Sequence, residues 1–221
     1  VNLLDEGLHD WLAQHIAEIT IYYPIDKLPN TWLKKTACVD SESFHTSLLH
    51  RISMQTSDYD DTWREIQWNK WIKKYVELRI SQVDCFCSVP EMVRILELAK
   101  VFTSQLAVLN DILAEHLDRW RHRADWSKNS MLYPYVVNPL LEGWNNQDES
   151  VKRAIIDFLI IIFKLPSEKL QDQPENLKKI FDDHEFVKGN KEKLRMMCDR
   201  MSEHSVPGVV EYYERLIGDC P

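Results

Sequence analysis

The sequence predicts an all-α fold, a multi-helix bundle of about eight helices with one long central helix. Three observations predict it. Apolar residues recur at three- and four-residue steps along most of the 221 residues. Only 5 glycines are present, too few for the tight turns of sandwiches and barrels. With 44% hydrophobic residues the chain can fill a core, and at this length roughly 70% of the unfolded surface can be buried.

Leu4, Leu8, Trp11, Leu12, Ile16 and Ile19 fall at helical spacing, so the chain opens with an amphipathic helix. Pro24 and Pro29 end it and begin a loop. A second helix follows Asp40 or Ser41 as N-cap, with Phe44, Leu48, Leu49 and Ile52 on one face. A third starts near Asp60 and turns Trp68, Trp71, Ile72, Tyr75, Val76 and Leu78 inward. Ser88 and Glu91, with Pro90 between them, spell a capping box. It opens the predicted spine: Met92, Ile95, Ala99, Phe102, Leu106, Leu109, Leu113, His116 and Trp120 form a heptad seam. As one helix this is roughly 35 residues and ~50 Å long. Such a seam also suits a homodimer.

Pro134 and Pro139 interrupt the chain, and a short helix is expected over 138–144. Asp148 or Ser150 caps an apolar helix that ends before Pro166. Three shorter helices are expected over 167–183, 190–204 and 207–217, separated by Pro174, Gly189, Pro207 and Gly208. The organisation is read as a single all-α domain over 1–221, with a hinge at 125–150, where two prolines, a glycine and several asparagines gather.

Val1 in first place is the mark expected of a fragment or a processed chain, and no basic, apolar leader follows it. The most apolar run, 154–165, is broken by Asp157 and Lys164 and is shorter than the ~20 residues a bilayer needs. Five cysteines at irregular spacing make a poor disulfide framework. Reduced thiols in the cytoplasm or nucleus, with no membrane contact, are therefore expected. The net charge of −8 is uneven: residues 1–61 hold 4 Lys/Arg against 10 Asp/Glu, and 119–173 hold 8 against 7. The acidic end disfavours general nucleic-acid binding and suits a basic partner surface.

Between Pro139 and Leu159 the sequence resembles a HEAT repeat. Leu140 and Leu141 stand where the family's first helix carries paired leucines. Asp148, Val151, Lys152 and Leu159 stand where its turn and second helix carry an acidic, a valine, a basic and a leucine residue. The likeness covers about one repeat, and the long heptad helix departs from the family's shorter ones. The resemblance implies a HEAT-like α-α superhelix and a scaffold that binds other macromolecules, not an enzyme.

Four groups are candidates for site chemistry. Asp60, Asp61 and Glu65 form a DDxxxE group of the kind that holds magnesium on a diphosphate. Asn110, Asp111, Glu115 and Asp118 resemble the second metal motif of isoprenoid synthases but carry Ala114 where a hydroxyl is required. A solvated helix start explains the first group better, because carboxylates favour that end of the helix dipole. Cys85 and Cys87 supply two thiolates where zinc needs four ligands, so they read as buried cysteines. Glu115, His116, Asp118 and His122 bring acid and imidazole to adjacent turns, but no nucleophile is tied to them and His116 falls on the apolar seam.

The basic–aromatic stretch is the preferred contact surface: Arg119, Trp120, Arg121, Arg123, Trp126 and Lys128. Arginine and tryptophan are enriched at binding hot spots and also suit phosphate and bases. Cations at a helix C-terminus, with Trp120 in the core, are the plainer reading of the same residues. Trp63 falls off the inner face of its helix and is a second anchor. Leu194, Met196, Met197 and Met201 form a soft apolar face that suits a core.

The expectation is a non-catalytic scaffold or adaptor domain of a larger intracellular complex, without metal or cofactor, that takes a protein helix or peptide in an inter-helical groove. Nucleic-acid binding through 119–128 and a small magnesium-dependent enzyme acting on a diphosphate are the alternatives.

Overall fold

The computed structural model describes residues 6–22, 31–81, 88–121, 133–165, 175–202 and 207–219. Every regular element among them is helical. They form two compact units, Val1–Gln105 and Leu106–Pro221. This division falls inside the predicted spine, whereas the sequence reading places a hinge at 125–150. Residues 125–132 of that stretch lie outside the described residues.

The first unit holds α1 (Glu6–Tyr22), α2 (Trp32–Ala37), α3 (Glu42–Ser57), α4 (Asp61–Gln67), α5 (Lys73–Ser81) and α6 (Val89–Val101). The short α2 forms where the sequence reads as loop. Three helix starts are capped by side chains whose oxygens accept otherwise unused amide protons. Ser41 accepts from the Phe44 amide at 3.2 Å, Asp60 from Trp63 at 2.8 Å and Ser88 from Glu91 at 3.3 Å. Phe44, Leu48, Leu49 and Ile52 of α3 are buried, as their spacing requires.

α4 and α5 are joined by a π turn over Trp68–Ile72. The cause is legible in the burial pattern. Gln67 and Trp68, Trp71 and Ile72, Tyr75 and Val76, Arg79 and Ile80 are all buried, a strict four-residue repeat. In an α-helix such a repeat drifts around the axis by about 40° per step. A wider π turn takes back the drift and keeps all four pairs on one face. Leu78, expected on that face, is half-buried, and Arg79 occupies the buried position instead.

Arg79 is the centre of a buried polar joint. Its Nε and one terminal nitrogen (Nη2) donate to the two carboxylate oxygens of Glu91 at 2.7 and 2.8 Å. Nη1 donates to the Ala37 carbonyl at 2.9 Å. One side chain thus ties α5 to α2 and α6. Glu91 makes the joint instead of the reciprocal half of a capping box, because a bidentate charged pair outweighs one neutral cap bond. Beside it, buried His45 accepts at Nδ1 from the Tyr75 hydroxyl at 2.6 Å and donates from Nε2 to the Val39 carbonyl at 2.7 Å. Burial, helped by the Arg79 charge, lowers the His45 pKa to about 4, so the ring is neutral.

The predicted spine is not one helix. α6 stops at Val101; Phe102 has φ −110° and ψ 46°, and a 3₁₀ turn over Thr103–Gln105 follows. The stretch Val101, Phe102, Thr103, Ser104 explains the break. Branched, aromatic and hydroxyl residues are weak helix formers, and four stand together. Phe102 turns its ring onto Trp68, with centroids 5.2 Å apart. Met92, Ile95, Ala99 and Phe102 of the first unit are buried, as are Leu106, Leu109, Leu113 and His116 of the second.

The second unit holds α7 (Leu106–Arg121), α8 (Asn138–Glu142), α9 (Glu149–Ile162), α10 (Glu175–Asp182), α11 (His184–Gly189), α12 (Lys191–Ser202) and α13 (Pro207–Asp219). Asp148 caps α9, accepting from the Val151 amide at 2.9 Å and the Ser150 hydroxyl at 2.7 Å. α9 rests mainly on α7 and α12, while α8 lies against α10. The α8–α9 pairing that the HEAT-like reading requires is thus not the principal packing of α9. Asn110 of α7 donates to the Ala154 carbonyl at 2.9 Å, and Lys193 of α12 reaches both oxygens of Asp157 at 2.7 Å. The run expected as one helix up to 183 ends at Asp182, because Asp183 caps a new helix by accepting from the Phe186 amide. Leu194, Met197 and Met201 are core, but Met196 is exposed.

Candidate functional site

An amphipathic helix in a folded unit ordinarily turns its apolar stripe to the core. α1 does the reverse. Among its described side chains the fully buried ones are Ala13 and Ala17, both at 0% exposure. Leu8, Trp11 and Ile19 remain 38, 54 and 46% exposed, and Leu12 and Ile16 are intermediate. The cause is the neighbour. α1 runs closely against α3, and methyl side chains allow such close approach where larger ones would hold the helices apart. At 100° per residue His15 and Ile19 lie roughly 160° around the axis from Ala13 and Ala17. Packing the small face inward therefore leaves the large one outside.

The outward stripe is ordered by its own contacts. The Trp11 and His15 rings lie 4.0 Å apart at 32°, and His15 Nδ1 donates to the Trp11 carbonyl at 2.8 Å. The indole is thus held against the helix before any ligand arrives, and little rotamer freedom is left to lose on binding. Along the flank Gln14 donates to Glu18 at 2.8 Å. From Leu8 to Ile19 the stripe spans three turns, ~17 Å. Among the described residues the other exposed large apolar side chains stand singly on their elements: Met54, Ile66, Tyr135 and Met196.

Most of the contact residues singled out in the sequence lie outside the described side chains. Arg119, Trp120 and Arg121 end α7, where cations suit the helix dipole, but their side chains are outside the description. Arg123, Trp126 and Lys128 lie outside the described residues, as do Cys85, Cys87 and His122. Trp63 is half-buried, stacked on Tyr59 with ring centroids 4.0 Å apart at 19°.

The DDxxxE carboxylates work within their own helix: Asp60 caps α4, Asp61 pairs with Arg64 at 3.0 Å, and Glu65 is exposed. No three His, Cys, Asp or Glu side chains converge as metal ligands among the described residues. His116 is buried on the seam, with Nε2 3.9 Å from Glu115.

A polar cleft of about 210 Å³ in the second unit is lined by Glu149, Lys152, Asp183, Glu185 and Phe186. Two of its charges answer each other. Lys152 donates to Asp183 at 2.7 Å and lies 5.4 Å over the Trp144 ring, while Asp183 also caps α11. Burial raises the Asp183 pKa, but the Lys152 bond and the cap outweigh it, and the carboxyl lies below its ordinary value. The Trp144 indole N–H lacks an aligned acceptor, although it stands close enough to favour the Asp183 charge. The arrangement is a latch between α9 and α11.

Family models, curated proteins and solved structures offer no match to this chain.

The site is thus the stripe of Leu8, Trp11, His15 and Ile19. Sequence reasoning picked out Leu8, Trp11 and Ile19 but neither their direction nor His15. The available signal was the alanine pair at 13 and 17, which marks a close-packed face opposite the bulky one.

Proposed function

We propose that this chain is a non-catalytic helical interaction module that binds another protein through the outer face of α1. One observation carries the reading: α1 buries its alanines and leaves a leucine, a tryptophan and an isoleucine outside. A stripe of this kind raises no fold stability where it stands, and an ordered, exposed tryptophan is the residue type most often found at binding hot spots. Helix-in-groove recognition uses anchors at three- and four-residue steps, the spacing of Leu8, Trp11, His15 and Ile19. The absence of convergent site chemistry among the described residues gives no competing use for this surface.

The test is a variant with Leu8→Ser, Trp11→Ser and Ile19→Ser together. The reading expects its far-UV circular dichroism and core thermal transition to stay close to those of the parent. Proteins retained by the immobilised parent should be lost. A variant that keeps every retained protein contradicts the assignment.

A further inference from the structure

α6 is buried along most of its length, and the charges it shows to solvent are of one sign. Arg94 has 31% of its side chain exposed and Lys100 is exposed, while Glu97 between them is 4% exposed. Steps of three residues keep the three within an arc of about 120°. α3 packs against α6 and brings exposed His50 and half-buried Arg51 within electrostatic reach of them. Partial burial lowers the His50 pKa, and the Arg94 charge lowers it next; Arg51 and Lys100 add to this, and Glu97 opposes it.

The donors of this cluster are not used up. Arg94 reaches both Glu97 oxygens from the single nitrogen Nη1, at 3.0 and 2.8 Å. Its Nε and Nη2, the Lys100 ammonium and the His50 ring make no hydrogen bond among the described residues. Arg51, Arg94 and Lys100 against Glu97 leave the cluster at +2, in a unit that holds 11 Lys/Arg against 15 Asp/Glu.

That charge selects among anions. A phosphate monoester carries about −1.5 to −2 near pH 7 and three strong acceptor oxygens, one for each of the three side chains with donors to spare. A carboxylate brings half the charge and two oxygens. A nucleic acid or an anionic lipid surface extends beyond the cluster and meets the negative charge around it.

We propose that His50, Arg94 and Lys100 on the α3–α6 surface bind a phosphate monoester. Arg94 offers its two unused nitrogens, Lys100 its ammonium and His50 a ring N–H. Glu97, bonded to Nη1, holds the guanidinium in place. The group comes from a phosphorylated side chain of another protein or from a phosphorylated small molecule.

The experiment titrates the full chain at pH 7.5 and low salt and follows the His50 ring signals by NMR, assigned by their loss in His50→Gln. The probes are a phosphoserine peptide of glycine and alanine, its unphosphorylated and glutamate counterparts, and glycerol phosphate. The expected result is a saturable shift with the phosphorylated probes and none with the unphosphorylated peptide. Lys100→Glu, an exposed change that takes the cluster from +2 to 0, weakens binding at least about tenfold with the thermal midpoint unmoved. Arg94→Lys keeps a cation beside Glu97 but loses the fork, and weakens it severalfold. Added salt weakens it further.

Tighter binding of the phosphopeptide assigns a protein source, and tighter binding of glycerol phosphate a small molecule. No saturation below about 10 mM overturns the proposal. So does binding that Lys100→Glu leaves unchanged, or a glutamate peptide that binds as well. A stronger shift with a 20-nucleotide DNA strand or phosphatidylserine vesicles assigns the cluster to an extended polyanion and overturns it too.

Discussion

Removing either end of the buried Arg79–Glu91 pair is expected to be among the most damaging single changes in the first unit. Both side chains are almost wholly buried, at 4 and 1% exposure. Arg79→Met leaves a buried carboxylate whose two best donors are gone, and Glu91→Leu leaves a buried guanidinium. Each should cost about 3–5 kcal/mol, the range for an orphaned buried charge. The double variant removes both charges and should recover most of that loss. It does not recover all of it, because the Ala37 carbonyl also loses the Arg79 Nη1 bond, an orphan worth about 1–3 kcal/mol. The single losses sum to roughly 6–10 kcal/mol. A double variant down by only about 1–3 kcal/mol therefore implies several kcal/mol of coupling. Urea denaturation followed by tryptophan fluorescence reads all four corners, since Trp68 and Trp71 report on the same core. Losses that simply add, or a single variant costing less than about 1 kcal/mol, would refute the account of this joint.

Other predictions follow from neighbouring features. His45 has a folded-state pKa near 4, below its ordinary 6.5. The unfolded chain therefore binds the proton first, so the contribution of His45 is complete above about pH 6.5 and declines toward pH 4, by roughly 3 kcal/mol in all. His45→Gln should flatten the acid limb of a stability-versus-pH curve; an unchanged limb contradicts this. Ala17→Leu should force α1 off α3 and cost about 1–3 kcal/mol, whereas Ile19→Ser should leave the thermal midpoint nearly unmoved. The opposite ranking means that α1 faces the other way. Phe102→Ala should cost about 3–5 kcal/mol by emptying the space against Trp68, checked by the same urea transition.

Much of this fold is legible in the sequence because local signals and burial agree. The caps at Ser41, Asp60, Ser88 and Asp148 fall where short polar side chains precede apolar periodicity. The buried faces of α3 and α9 follow the same spacing. Where the reading and the structure differ, a tertiary effect has overridden a local one. Heptad spacing runs unbroken from Met92 to His116, yet the helix stops at Val101. Periodicity records only which residues are buried, and a turn that keeps them buried leaves it intact. Glu91 is a cap residue by sequence, but its partner twelve residues back is visible only once α5 and α6 lie side by side. The direction of α1 is likewise a property of α3, whose close approach favours the alanine face. The preferred basic–aromatic surface is a different case: Arg119, Trp120 and Arg121 end a helix, and the side chains of all six residues lie outside the described residues.

The central claim is that α1 meets its partner with its outer face, and a photo-crosslinking residue at position 11 tests it most directly. The same residue at position 153, on the exposed side of α9, serves as the control. The account predicts one discrete crosslinked protein from position 11, absent from position 153. Equal products from both positions, or none from position 11 while position 153 captures a partner, would contradict it.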